Sequence, residues 1–117
     1  MMPKLLGPTT REHNPDAEDT VRLLIKRQSP SAIRDAVMRM MERPDSTGLL
    51  PTLDVPTLVV VGDEDQLTPP SESEAMVAAL PNASLVRISG AGHLSSLEQS
   101  MAFEASIDDF LAGLPAV

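Results

Sequence analysis

The chain has 117 residues, which indicates one small domain or a piece of a larger one. Its formal net charge of −8 at pH 7 offers no basic patch for phosphates, so we expect no nucleic-acid partner. It has no cysteine, which excludes disulfides, thiolate chemistry and cysteine-based zinc sites. No apolar run is long enough to span a bilayer and no signal-peptide core follows the first residues, so we expect a cytoplasmic protein without a membrane partner.

Two short amphipathic helices are predicted in the first 44 residues. Asn14 precedes a proline and an acidic residue, the order typical of a helix start, and Ser29 precedes a proline where the first helix ends and the second begins. Arg43, also followed by a proline, ends the second helix. Each helix has one apolar stripe, formed by Ala17, Val21, Leu24 and Ile25 in the first and by Ile33, Val37, Met40 and Met41 in the second. A methionine-rich face suits an adaptable pocket lining, although core packing is its commoner explanation.

A β-α-β unit is predicted after a proline-containing loop. Residues 58–61 are an unbroken apolar run, three of them β-branched, which is typical of a strand covered on both faces in a parallel sheet. A capping-box pattern at Ser71 and Glu74 opens a helix that crosses over to a second strand, residues 84–88, and the crossover makes the two strands parallel. A final helix is predicted with one of two serines as its cap and one buried stripe: Ser95 or Ser96 as the cap, and Phe103, Ile107, Phe110, Leu111 and Leu114 as the stripe.

Two ionisable side chains follow these strands at corresponding places. Asp65 lies four residues past Val61, and His93 lies five residues past Ile88. Because the carboxyl ends of parallel strands meet at one edge of a sheet, we expect the two side chains to lie side by side. A carboxylate that accepts from one imidazole nitrogen fixes the tautomer and leaves the other nitrogen to take a proton from a nucleophile. The spacing therefore predicts that Asp65 and His93 are the acid and the base of a catalytic triad.

Each of these residues also has a simpler explanation. Asp63, Glu64 and Asp65 could form a solvated acidic turn, and a histidine that follows a Gly-x-Gly sequence could be structural. The acidic cluster could bind a cation, but no further ligands lie at a spacing that would complete such a site, so we predict no metal and no cofactor. Taken singly, the simpler explanations are the commoner ones. Taken together, at the ends of two consecutive buried strands, the residues favour the triad.

These residues resemble those of a known family. Residues 55–65, with the sequence VPTLVVVGDED, the Gly-Ala-Gly-His sequence that ends at His93, and Glu98 beyond it are similar to the carboxyl-terminal part of α/β-hydrolase-fold enzymes. The nearest resemblance is to the branch of esterases, enol-lactonases and cofactor-free haloperoxidases. It implies that Asp65 is the catalytic acid and His93 the catalytic base.

The resemblance also implies a fold and an activity. The fold would be α/β, a carboxyl-terminal fragment of the α/β-hydrolase fold with two parallel strands, flanking helices and a helical cap remnant. Residues 1–50 would be the cap remnant and the helix that leads back to the core, and residues 51–117 the βαβα part of the core. The implied activity is hydrolysis of small carboxylic esters or lactones.

The family's nucleophile is absent from this sequence. It lies on a Gly-x-Ser-x-Gly turn that precedes the acid in chain order, and Ser46 lacks both the first glycine and the apolar strand of such a turn. An acid and a base without a nucleophile cannot carry out acyl transfer by this route. We therefore expect a fragment of a longer enzyme or one half of a split pair, inactive alone, with the amino-terminal half as its partner.

The open edge of so small a sheet leads to two further expectations. An apolar strand edge without a neighbour favours pairing with another chain, so the protein could also associate with itself. The alternative function is then a non-catalytic βαβ interaction module, a degenerate remnant that pairs through this edge.

Overall fold

The computed structural model describes residues 2–115, with side chains from residue 4 onwards. Its elements, in chain order, are α1 (Met2–Leu5), α2 (Pro8–His13), α3 (Pro15–Lys26), α4 (Pro30–Glu42), a 3₁₀ helix (Thr47–Thr52), β1 (Thr57–Gly62), α5 (Pro70–Ala79), β2 (Ala83–Ile88), α6 (Ser95–Glu98) and α7 (Ser100–Ala112). Among the described residues, no helix combines the length and the apolar character needed to cross a membrane. The cytoplasmic location stays a prediction.

The two strands form a parallel sheet, as predicted. They pair in register along their whole length, so that the last residue of β1, Gly62, lies beside the last residue of β2, Ile88. Val61 and Gly62 are buried, whereas residues 58–60 are only half-buried. The cover expected for the apolar run is therefore strongest at the carboxyl ends of the strands, next to the loops that follow them.

The sheet lies between two helices. Side chains alternate between the two faces of a strand, so neighbours along β2 point in opposite directions. On one face Arg87 forms an ion pair with Glu74 of α5, and on the other Val86 lines a groove together with Phe110 of α7. This arrangement confirms the predicted α/β fold with two parallel strands and flanking helices.

The two amphipathic helices before the sheet begin where the sequence predicts. Each starts at a proline, and the Ser29 hydroxyl caps α4 by accepting a hydrogen bond of 3.0 Å from the backbone N–H of Ala32. All of α4 lies within the described residues, and none of it is buried. Met40 and Met41 are 73% and 77% exposed, so core packing is wrong as an explanation of this face within the described chain.

Two of the predicted helix starts are wrong. Ser71 and Glu74 do not form a capping box, because α5 begins at Pro70, whose fixed φ and missing N–H suit a first helical turn without a side-chain cap. The final helix is divided in two: Ser95 opens the short α6, and α7 begins at Ser100. Neither of these starts has a side-chain cap among the described residues.

Two smaller expectations also need correction. Leu111 is 56% exposed, whereas the other members of the predicted α7 stripe are half-buried, because the narrow two-stranded sheet covers only part of the helix. The region between α4 and β1, predicted to be a loop, contains the 3₁₀ helix, a short form that tolerates Pro51 within it.

The best-buried residues lie around the carboxyl ends of the strands. Ala91 in the loop after β2 is 0% exposed, and Leu6, between α1 and α2, is 1% exposed. We call residues 5–10 the amino-terminal strap, because this segment lies against the loops that follow both strands. The division of the chain at residue 50 into a cap remnant and a core stays a prediction.

Gly62 allows the loops after β1 and β2 to touch backbone to backbone. The N–H of Glu64 donates to the Ala91 carbonyl at 2.8 Å. A Cβ atom on Gly62 would overlap with the carbonyl oxygens of Ala91 and Gly92. The absence of a side chain at the end of β1 is therefore a steric requirement of this packing.

We expect Gly62→Ala to lower the free energy of unfolding by about 1–3 kcal/mol, because the added methyl group has to displace the backbone of residues 91 and 92. Gly48→Ala is the matched control, since no atom lies within 4 Å of the Cβ that it would add. Urea unfolding followed by circular dichroism measures both variants. Equal losses of stability in the two variants would contradict the close approach at Gly62.

Candidate active site

Asp65 lies in the turn that follows β1. Its Oδ1 accepts hydrogen bonds of 3.0 Å from the backbone N–H groups of Leu67 and Thr68, and its Oδ2 accepts one of 2.9 Å from the Thr68 hydroxyl. An aspartate that binds the backbone two and three residues ahead is a common former of tight turns. These bonds hold the carboxylate in one orientation, with only 5% of the side chain exposed.

His93 lies in the loop that follows β2, in contact with Asp65. Its Nδ1 is 3.1 Å from Asp65 Oδ2 and 3.3 Å from Asp65 Oδ1, and its backbone N–H donates to the Leu5 carbonyl at 3.1 Å. The side chain remains 36% exposed. The structure therefore brings together the two residues that the sequence places at one sheet edge, and the predicted contact between them is confirmed.

The surroundings of Asp65 favour its charged form. Burial alone would raise the pKa of this carboxyl group. Hydrogen bonds from the Thr68 backbone N–H, the His93 ring and the Thr68 hydroxyl outweigh burial, so the pKa lies below the ordinary aspartate value of 3.8. An ionised Asp65 accepts a hydrogen bond from Nδ1–H of His93. In the neutral ring Nε2 is then the nitrogen that carries the free lone pair. A pair of this kind can take up a proton at Nε2 and stabilise the resulting imidazolium.

The neighbouring acidic residues are not a purely solvated turn, so that simpler explanation is wrong. Asp63 Oδ1 accepts a hydrogen bond of 3.0 Å from the N–H of Gly90, and Glu64 accepts hydrogen bonds from both the N–H and the hydroxyl of Thr9. Asp63 therefore ties the acid loop to the loop after β2, and Glu64 ties it to the amino-terminal strap.

Two residues of this site were missed by the sequence analysis. The Thr68 hydroxyl binds Asp65 Oδ2 and lies 3.4 Å from His93 Nδ1. Its position three residues after an aspartate is typical of a turn in which the carboxylate binds the residues ahead of it, and this spacing could have indicated the contact. Glu98, noted above only as part of the family resemblance, accepts three backbone hydrogen bonds around His93. Gly92 and Leu94 lie within six residues of Glu98, but Gly7 lies 91 residues away, so no local pattern indicates the link to the amino-terminal strap.

The described residues contain no group of three or more histidine, cysteine, aspartate or glutamate side chains arranged to hold a metal ion. The carboxylates of the acid loop are each occupied by different hydrogen-bond donors instead of converging on one point.

The fold is that of part of an α/β hydrolase. The α/β-hydrolase family described as TAP-like protein matches residues 31–114, which is most of the chain. The chain therefore belongs to the α/β-hydrolase family.

Named relatives include esterases and one much larger protein. The chain is 34% identical over 106 residues to a pimeloyl-(acyl-carrier protein) methyl ester esterase of Neisseria meningitidis serogroup A, covering 87% of this chain and 34% of that protein. It is similar to a thermophilic esterase from Thermogutta terrifontis, solved with malate bound, at 39% identity and a TM-score of 0.92, covering 96% of this chain and 41% of that one. It is 44% identical over 77 residues to polyketide synthase ThaQ of Burkholderia thailandensis, covering 66% of this chain and 4% of that protein. The chain thus spans less than half the length of each.

We expect a carbon-13 NMR titration to give Asp65 a midpoint below 3.8, because the hydrogen bonds to its charged form outweigh burial. Since the folded pKa is lowered, the stability that ionised Asp65 contributes is complete above the unfolded pKa and is lost as the pH falls through the folded value. Thr68→Val should raise the midpoint, because it removes the hydroxyl donor. Thr52→Val is the control, since that hydroxyl binds the Leu49 carbonyl instead. A wild-type midpoint at or above 3.8 would contradict this balance.

Proposed function

We propose that this chain supplies the acid and the base of an α/β-hydrolase active site that cleaves small carboxylic esters or lactones. The observation that carries the proposal is the 3.1 Å contact between Asp65 Oδ2 and His93 Nδ1 at the shared carboxyl edge of two parallel strands. Similarity to two proteins named as esterases supports the ester class of substrate.

In this mechanism the two side chains have different tasks. Nε2 of His93 takes the proton of a serine hydroxyl as that oxygen attacks the ester carbonyl, and the imidazolium then gives the proton to the departing alcohol. In the second half-reaction His93 takes a proton from the water that attacks the acyl-enzyme, and the imidazolium returns this proton to the serine oxygen as the acid is released. Asp65 keeps the proton of the neutral ring on Nδ1 and stabilises the imidazolium in both steps.

The size of a neighbouring cavity supports a small substrate. An apolar cavity of about 580 Å³ lies next to the His93 loop, within the range of pockets that take small molecules. Its lining comes from α3, α4, the amino-terminal strap and the residues after His93, and includes Leu5, Val21, Leu24, Ile33, Leu94 and Leu97. We propose that this cavity holds the acyl or alcohol part of the ester.

The serine has to come from another segment, because no Gly-x-Ser-x-Gly turn occurs in the 117 residues. We propose that this segment also extends the sheet at the outer edge of β1, where no strand among residues 2–115 pairs. The greater length of the named relatives supports this proposal. On this account the chain alone does not hydrolyse esters.

The proposal predicts that hydrolysis of p-nitrophenyl acetate appears when the chain is joined to an amino-terminal segment of an esterase relative that carries the serine turn. His93→Ala should lower kcat/KM at least about 10³-fold, because the proton acceptor is lost. His13→Ala is the matched control and should leave the rate unchanged, since His13 is an exposed residue at the end of α2.

Two results would contradict the proposal. One is equal activity in the His93→Ala and His13→Ala proteins. The other is a stable, well-folded monomer of the chain that shows no esterase activity in any combination. The second result would support the non-catalytic interaction module, which the outer edge of β1 would serve as a pairing surface.

A further inference from the structure

Glu98 is a buried carboxylate whose hydrogen bonds surround His93. It is 6% exposed, and burial of an ionisable group is costly unless hydrogen bonds compensate for the lost water. Its Oε1 accepts from the N–H of Gly7 at 2.7 Å and from the N–H of Gly92 at 3.0 Å, and its Oε2 accepts from the N–H of Leu94 at 3.0 Å.

The three donors have a common geometry. Gly92 and Leu94 are the residues on either side of His93, and Gly7 belongs to the amino-terminal strap, 91 residues away from Glu98. A single side chain therefore fixes the backbone before and after the histidine and fastens it to a remote segment. Hydrogen bonds from neutral N–H groups to a carboxylate are stronger than those between neutral partners.

The amino-terminal strap is fitted closely to the same loop. The Leu5 carbonyl accepts from the N–H of His93 at 3.1 Å and from the N–H of Leu94 at 3.2 Å. A Cβ atom on Gly92 would overlap with the backbone N of Gly7, so the two segments touch where Glu98 joins them. Glu98 thus joins the amino-terminal strap to the loop around His93. Two residues in these contacts have ionisable side chains, Glu98 and His93, and of the two only the His93 side chain is partly exposed.

We propose that Glu98 is a positioning residue that keeps the Nδ1 atom of His93 on Asp65. Among the described residues it forms no hydrogen bond with either of those side chains, and it acts through the backbone on both sides of the histidine. The catalytic consequence rests on the proposed function, whereas the effect on the ring itself does not. Residues 5–10 are then part of the active-site support, through Gly7 and Leu5.

The chemistry of the three bonds makes Glu98→Gln a selective change. A glutamine has one acceptor oxygen and one donor NH₂ group where glutamate has two acceptor oxygens. If the oxygen stays at the Oε1 position, the bonds from Gly7 and Gly92 remain, while the NH₂ group faces the N–H of Leu94. The variant therefore weakens the hold on the residue next to His93 with little change of volume.

The direct test is nitrogen-15 NMR of the His93 ring in the 117-residue chain, at a pH where the ring is neutral. The wild-type ring should show one tautomer, with the proton on Nδ1, and Glu98→Gln should show a mixture of both tautomers. Glu104→Gln, on the exposed side of α7, is the matched control and should leave the ring unchanged. A single Nδ1–H tautomer in Glu98→Gln would overturn the proposal.

A second measurement decides the matter if Glu98→Gln does not fold. In the wild-type chain the N–H groups of Gly7, Gly92 and Leu94 should exchange with solvent much more slowly than that of the exposed Gly48. Exchange as fast as at Gly48 would overturn the proposal. In the enzyme completed by an amino-terminal segment, Glu98→Gln should lower kcat about 10²-fold with KM little changed, because the base is misplaced but substrate contacts remain.

The ring measurement also separates this proposal from the proposed function. If no combination of segments hydrolyses esters and the His93 tautomer still depends on Glu98, the positioning role stands and the esterase proposal fails. If hydrolysis depends on His93 but Glu98→Gln changes neither the tautomer of His93 nor kcat, the esterase proposal stands and the positioning role is wrong.

Discussion

The parallel, in-register pairing of β1 with β2 is the constraint on which the rest of the structure depends. It ends both strands at the same level, with Gly62 beside Ile88, so that their loops leave from one edge. A slip of one residue would turn every side chain of a strand to the other face and move one loop along the other. The contact between Asp65 and His93 therefore follows from backbone pairing before any side chain contributes to it.

Carboxylates hold the loops that follow β1 and β2 in place. Each of the four acidic side chains at this edge binds different donors: Asp63 binds Gly90, Glu64 binds Thr9, Asp65 binds Thr68 and His93, and Glu98 binds Gly7, Gly92 and Leu94. Because backbone N–H groups satisfy most of these oxygens, several negative charges can lie close together, and among the described residues no lysine or arginine pairs with any of the four. The amino-terminal strap takes part through two of these carboxylates.

The sequence was sufficient for features that depend on local pattern and on general rules of topology. The apolar run 58–61 indicates a buried strand, and the prolines after Asn14 and Ser29 indicate the starts of α3 and α4. Parallel pairing of the two strands is then enough to predict that Asp65 and His93 lie in contact. The link between Glu98 and the amino-terminal strap could not be predicted, because partners 91 residues apart leave no periodic signal. The exposed face around Met40 shows the limit of an amphipathic pattern. The pattern predicts which face of a helix is apolar, but it does not predict which part of a protein packs against that face.

The most direct measurement of the central claim is a double-mutant cycle on Asp65 and His93. Asp65→Asn, His93→Gln and the double variant are compared with the wild-type chain by urea unfolding at pH 7. A charge-assisted contact at 3.1 Å predicts a coupling free energy of about 1 kcal/mol or more between the two side chains. Additive losses, with a coupling below about 0.3 kcal/mol, would show that the two strands do not bring this acid and this imidazole together.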